Sequence, residues 1–224
     1  MPVYALNTEI VFPDPNLADD HGLLAVGGDL RPERLVLAYA NGIFPWYSDG
    51  DPIMWWSPDP RLILYPENFK VSKSLRQTLR NGNFEIKYDT DFGNVIDYCA
   101  KIPRNGEEGT WITDEMKKAY IDLHRTGFAH SVETYRDGKL VGGLYGVSLG
   151  KAFFGESMFH LERDASKVAL YNLIEKIKGW NFRFIDAQIE TNHLKSLGAV
   201  TISRAEYLNI LEEAINWPTK RGKW

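Results

Sequence analysis

Apolar and polar positions follow two regimes along this chain. Up to about residue 65 the apolar stretches are short. They are broken by Pro13-Asp14-Pro15-Asn16, Gly27-Gly28-Asp29, Asn41-Gly42, Asp49-Gly50-Asp51-Pro52 and Ser57-Pro58-Asp59-Pro60. Proline fixes φ and glycine supplies positive φ, so long regular elements are not expected there. One short helix is predicted over 32–41, with Pro32 at its first position and Leu35, Leu37 and Ala38 on its apolar side. The stretch reads as a small, irregular N-terminal domain, residues 1–62, followed by a second domain, residues 63–224.

Beyond the boundary the pattern becomes periodic. Ser72 caps a predicted helix through Leu75 and Leu79 that stops at Gly82. Phe92, Val95, Ile96 and Cys99 recur at helical spacing behind Asp91, as do Met116, Ala119, Tyr120 and Leu123 behind Thr113. Three strand-like runs follow at about 129–136, 139–148 and 151–159, the first two joined by the hairpin pair Asp137-Gly138. Asp164 then opens a helix through Leu170, Leu173, Ile174 and Ile177. A strand over 182–189, a short helix over 191–197, a strand over 199–203 and a closing helix behind Ser203 and Glu206 complete the order. This describes an α/β or α+β domain of about 160 residues on a mixed sheet.

Composition narrows the class. The hydrophobic fraction of 44% and charged fraction of 25% are globular values, and no apolar run approaches the length of a membrane span. No basic cluster precedes an apolar core at Met1-Pro2-Val3-Tyr4, so no secretory leader is expected and the cytoplasm is the expected compartment. The single cysteine, Cys99, excludes an internal disulfide and suits packing. Net charge is −4 but uneven: residues 1–65 hold nine acids and three bases, whereas 111–224 hold fourteen acids and sixteen bases. Any nucleic-acid contact must therefore be a local patch.

Nucleotide chemistry is disfavoured. No G-x-x-x-x-G-K-[ST] and no strand-linked G-x-G-x-x-G occurs. No metal site is expected either, because the five histidines lack ligand spacing and read as solvated or capping residues. Two runs stand out instead, Phe153-Phe154-Gly155-Glu156-Ser157-Met158-Phe159 and Phe184-Ile185-Asp186-Ala187-Gln188-Ile189. Strand alternation puts Phe154, Glu156 and Met158 on one face, and Phe184, Asp186 and Gln188 on one face of another strand. Glu156 and Asp186 are thus acids on nearly buried strands, either an internal ion pair or solvated edge-strand acids, or a site for acid–base or amine-recognition work. A second feature is Lys70, Lys73, Arg76 and Arg80, spaced 3, 3 and 4 apart. They form either a solvated face or a cationic ridge able to meet phosphates.

Five motifs taken together resemble the bacterial leucyl/phenylalanyl-tRNA–protein transferases: Gly22-Leu23-Leu24-Ala25-Val26-Gly27-Gly28-Asp29-Leu30, Gly42-Ile43-Phe44-Pro45-Trp46, Trp55-Trp56-Ser57-Pro58-Asp59-Pro60-Arg61, Gly109-Thr110-Trp111-Ile112-Thr113 and Gly155-Glu156-Ser157-Met158-Phe159. The resemblance runs from about residue 10 to 210. It implies an α+β fold with a small N-terminal domain and a GNAT-like mixed-sheet C-terminal domain. It also implies transfer of Leu or Phe, and Met less well, from Leu-tRNA or Phe-tRNA to proteins beginning with Arg or Lys, which marks them for N-degron degradation. Ordinary acetyltransferases hold CoA pyrophosphate on a glycine loop, where this chain has His160-Leu161-Glu162-Arg163-Asp164-Ala165, with no glycine and two acids. No cofactor is expected, because an aminoacyl ester is already activated. A monomer is expected.

By resemblance and face geometry together, Asp186 is the candidate proton acceptor or relay, and Gln188 orients it and polarises the ester. Glu156 holds a cationic group, either the donor's α-ammonium or the incoming amine. Trp46 and Trp111 match positions that stack on the terminal adenosine, with Tyr39 and Phe153 bordering the site. Leu144, Leu173 and Ile177 line the apolar side-chain pocket, and the ridge Lys70, Lys73, Arg76 and Arg80 meets tRNA. The competing readings are a CoA-dependent N-acyltransferase, a tRNA- or peptide-binding module without catalysis, and another tRNA-dependent aminoacyl ligase.

Overall fold

The computed structural model describes residues 3–102 and 111–224. The N-terminal part carries more order than its turn-rich sequence suggests. Strands β1 (Tyr4–Leu6), β2 (Leu23–Gly27), β3 (Phe44–Pro45) and β4 (Met54–Trp56) form a sheet in the order β1-β2-β4-β3, beside helix α1 (Pro32–Ala40). None of these strands exceeds five residues, too short for alternation to stand out in a sequence. The Gly27-Gly28-Asp29 turn is a structural staple. Asp29 accepts from the Arg31 backbone N–H and side chain, both at 3.0 Å, and pairs with the buried Arg34 at 3.3 Å.

The larger sheet runs β11-β5-β10-β9-β8-β7-β6, with β5 (Arg61–Leu64), β6 (Glu85–Tyr88), β7 (Ala129–Arg136), β8 (Lys139–Leu149), β9 (Ala152–His160), β10 (Phe184–Gln188) and β11 (Val200–Ile202). All neighbours are antiparallel except β9 and β10. The β7–β8 turn has positive φ at both Asp137 and Gly138, the conformation its sequence predicts. Sequence pattern missed β6, and it gave no hint that β5 enters this sheet. The expected boundary at 62/63 falls within β5.

The helices are α2 (Lys73–Asn81), α3 (Phe92–Lys101), α4 (Asp114–Arg125), α5 (Ala165–Gly179), α6 (Asn192–Ser196) and α7 (Arg204–Ile215). Ser72, Thr113, Thr191 and Ser203 each accept a backbone N–H three residues on, so these caps form as the sequence indicates. Asp91 and Asp164 precede helices without capping them. Two cores result. The first gathers α1, α3, α4, α7 and the small sheet against one face of the large sheet. The second holds α5 against the other face. This is the expected α+β fold, a small N-terminal sheet beside a larger mixed sheet.

One break in the large sheet organises everything that follows. Strands β9 and β10 pair over three rungs only, Phe184–Ala152, Ile185–Phe153 and Asp186–Phe154. Beyond Asp186–Phe154 they part, and Glu156 and Gln188 stand one on each side of the opening.

Candidate active site

Both strands flanking the opening carry a bulge at or next to a candidate residue. In β9, Gly155 pairs with Gly146 and Ser157 with Tyr145, so Glu156 is the extra residue. In β10, Asp186 pairs with Ile63 and Gln188 with Leu62, which leaves Ala187 extra and Gln188 at φ 62°. Bulges re-aim side chains next to functional sites. They also correct the expected alternation. Phe154 lies in the first core, but Met158 packs against the second and Phe159 returns to the first, because the bulge shifts the parity by one.

Glu156 is 8% exposed and held by three donors. Tyr39 donates to Oε1 at 2.8 Å, Tyr120 to Oε2 at 2.9 Å, and Gln188 Nε2 to Oε1 at 2.8 Å. The two tyrosine hydroxyls also touch each other. With Glu156 protonated, each of the three contacts among carboxyl and phenols carries one proton, which closes a ring. Burial pushes the Glu156 carboxyl up to about 7, against the lowering effect of its three donors. Burial, and then the adjacent Glu156 charge, push both tyrosines well above their usual range, so they remain donors.

Asp186 is wholly buried and fully engaged. Arg61 grips it through Nε at 2.9 Å and Nη2 at 2.7 Å, Tyr207 donates at 2.7 Å, and the Gln188 backbone N–H donates at 2.9 Å. The Arg61 guanidinium lies over the rings of Phe44 and Tyr207, 4.8 and 4.5 Å from their centroids. Gln188 thus joins the two carboxylates, its backbone on Asp186 and its side chain on Glu156.

Arg61, Tyr120 and Tyr207 were not singled out by sequence reasoning. Arg61 closes one of the quoted motifs. Tyr120 counted only as part of a helix's apolar face, and the closing helix that carries Tyr207 was read from Ser203 and Glu206 alone.

The remaining candidates fall into three groups. Leu144, Phe153, Leu173 and Ile177 share the second core, across the sheet from Tyr39. Trp46 is 40% exposed and edge-on to Trp56, 5.7 Å between centroids. Its neighbour Tyr47 donates to Glu115 in the first turn of α4 at 3.3 Å, and Trp111 lies just before that helix. Gly109 and Thr110, from the motif containing Trp111, lie outside the described residues. Lys70 is exposed just before α2, and Lys73, Arg76 and Arg80 are exposed on it, opposite the buried Leu75. The last three line a groove of about 360 Å³.

Two sequence arguments need correction. His130 is neither solvated nor a cap: it is 1% exposed, and its Nδ1 lies 2.9 Å from Asp89. The acids Glu162 and Asp164 are neutralised, by Arg136 and by Lys167 respectively. Charge repulsion against a pyrophosphate is therefore weak there. The missing glycines carry that argument alone.

A family model described as leucyl/phenylalanyl-tRNA protein transferase matches residues 63–212, and that of the same family's N-terminal domain matches 28–59. A leucyl/phenylalanyl-tRNA–protein transferase from Myxococcus xanthus (strain DK1622) is 57% identical, with 100% of this chain and 97% of that one covered. This chain belongs to that family. The transferase of Desulfatibacillum aliphaticivorans is 56% identical over 100% of this chain and 96% of that one. That of Legionella pneumophila (strain Corby) is 53% identical over 98% of each. As a leucyl/phenylalanyl-tRNA–protein transferase family member, the chain is an aminoacyltransferase. A solved GCN5-related N-acetyltransferase from Kribbella flavida overlays with a TM-score of 0.36 at 8% identity, over 80% of this chain and 63% of that one. Among the described residues no helix is long and apolar enough to cross a membrane.

Proposed function

We propose that this transferase moves Leu or Phe from aminoacyl-tRNA to the N-terminal Arg or Lys of acceptor proteins, at the opening between β9 and β10. The observation that carries the reading is the juxtaposition there of Glu156 and Gln188, joined at 2.8 Å. The donor's apolar side chain enters the second core between Leu144, Phe153, Leu173 and Ile177, while its ester stays at the opening. Trp46 and Trp111 stack on the terminal adenosine, and the α2 ridge takes phosphates of the tRNA body. The products enter the N-degron route.

The chemistry is aminolysis. The acceptor's neutral α-amine attacks the ester carbonyl, a C–N bond forms, and the C–O bond to the ribose breaks. One proton leaves the nitrogen and one returns to the ribose oxygen. Glu156 is matched to this exchange, because a proton carrier works best with a pKa near ambient pH and α-amines lie at about 7.7–8. Asp186 is already saturated by Arg61, Tyr207 and Gln188. Its role is to position Gln188, whose amide then orients Glu156 and the ester. Alignment of amine and ester supplies much of the remaining acceleration.

The test is transfer of radiolabelled Leu from its tRNA to two model proteins, one starting with Arg and one with Ala. Labelling of the first and not the second is expected, without added ATP or CoA. Absence of transfer from correctly charged tRNA overturns the reading.

A further inference from the structure

We infer that Trp224 is a positioning residue that sets the depth of the aminoacyl side-chain pocket by fixing the Phe153 ring; the inference rests on the donor seat proposed above. Trp224 lies in the tail after α7 and packs into the second core, whose residues include Phe153 and Ile177. Its indole stacks on His130, 4.0 Å between centroids at 14°. It also meets Phe153 at 5.8 Å and stands edge-on to Trp180 at 5.0 Å.

The seat is built, not casual. The Trp224 backbone N–H donates to Asp89 at 2.8 Å, and the same carboxylate holds His130 at 2.9 Å and the Ser131 N–H at 2.8 Å. The tail leading there is fastened twice more. Thr219 accepts from the Gly150 N–H at 2.9 Å, and Arg221 donates to the Thr126 carbonyl at 2.8 Å. Gly222 passes so near Gly127 that a Cβ on Gly127 would stand 2.5 Å from the Gly222 nitrogen.

Phe153 is also held by β8. A Cβ on Gly146 would lie 2.6 Å from Phe153 Cε1 and Cζ, so the ring fills the space that this glycine leaves. Backbone blocks its movement toward β8, and Trp224 blocks its retreat toward the tail. Removing the indole frees only the second direction, and the ring's retreat deepens the pocket.

The experiment compares kcat/KM for Leu-tRNA and Phe-tRNA donors between the wild type, Trp224→Ala and Trp224→Phe, with circular dichroism and thermal unfolding run alongside. Trp224→Ala is expected to raise the Phe-to-Leu ratio about tenfold, the scale of one methylene's worth of fit. Trp224→Phe should move it part of the way, and it carries the test if the alanine variant does not fold. A purely structural tail lowers both donors in proportion. An unchanged ratio in a folded variant therefore overturns the inference. A wild type that transfers neither amino acid overturns the donor reading itself.

Discussion

The two carboxylates at the opening illustrate how environment divides similar groups between different tasks. Asp186 spends its hydrogen-bonding capacity on a bidentate arginine, a tyrosine and a backbone N–H. Glu156 meets only neutral donors, and burial raises its pKa to about 7. The sign of the stability effect follows. Between its unfolded pKa near 4.5 and its folded value near 7, the native state holds a proton that the unfolded chain has released, so stability falls as pH rises across that window. Glu156→Gln should flatten this part of the stability–pH curve, measured by urea unfolding at several pH values, by up to about 3 kcal/mol. The same variant should lose the ascending limb of the pH–rate profile near 7. Arg61→Met leaves Asp186 as an unpaired buried charge and should cost about 3–5 kcal/mol of unfolding free energy. Asp186→Asn with a normal fold, an unmoved pH–rate midpoint and a reduced rate is the outcome expected of a positioning group. What sequence showed at this scale was the presence of two acids on apolar strands. It could not show which acid was paired, because Arg61 lies 125 residues from its partner.

At the scale of elements, periodicity identified α1 to α7 and the meander β7–β8–β9, where local pattern and tertiary burial agree. It failed where they separate. The strands of the small sheet are two to five residues long, and β5 owes its place to partners far along the chain. Alternation failed inside β9 as well, because a bulge shifts side-chain parity without leaving any mark in composition. Helix α2 offers the sharpest test of an element. Replacing Lys73, Arg76 and Arg80 by Gln should weaken full tRNA while sparing a minimal aminoacyl-adenosine donor. The slope of log K against log salt should shallow by roughly 0.7–0.9 per lost phosphate contact. Unchanged slopes would return the ridge to a merely solvated face. Trp46→Ala and Trp111→Ala should instead raise the KM of the minimal donor as well, since stacking is worth about 1–3 kcal/mol per base.

On the scale of the whole molecule, the N-terminal part and the large sheet share one core. The first cluster runs from Ala18 and Trp55 through Phe154 to Tyr207 and Ala214. Arg204 of α7 reaches back to the Pro15 carbonyl at 3.1 Å, and its backbone N–H donates to Asp59 at 3.0 Å. Cooperative unfolding is therefore expected, a single calorimetric transition in place of two. Two separated transitions would mean that the small sheet is an independent unit.

The bulge in β9 has a consequence for how the fold and its chemistry are inherited. Gly155 already faces Gly146, and Ser157 already faces the next residue, Tyr145. The ladder does not count Glu156. Deleting that one residue would close the strand into regular pairing and leave every later rung with its present partner. The carboxyl group proposed to carry the proton is thus an insertion in a sheet complete without it. Loss of that one codon is expected to leave a folded protein that no longer transfers.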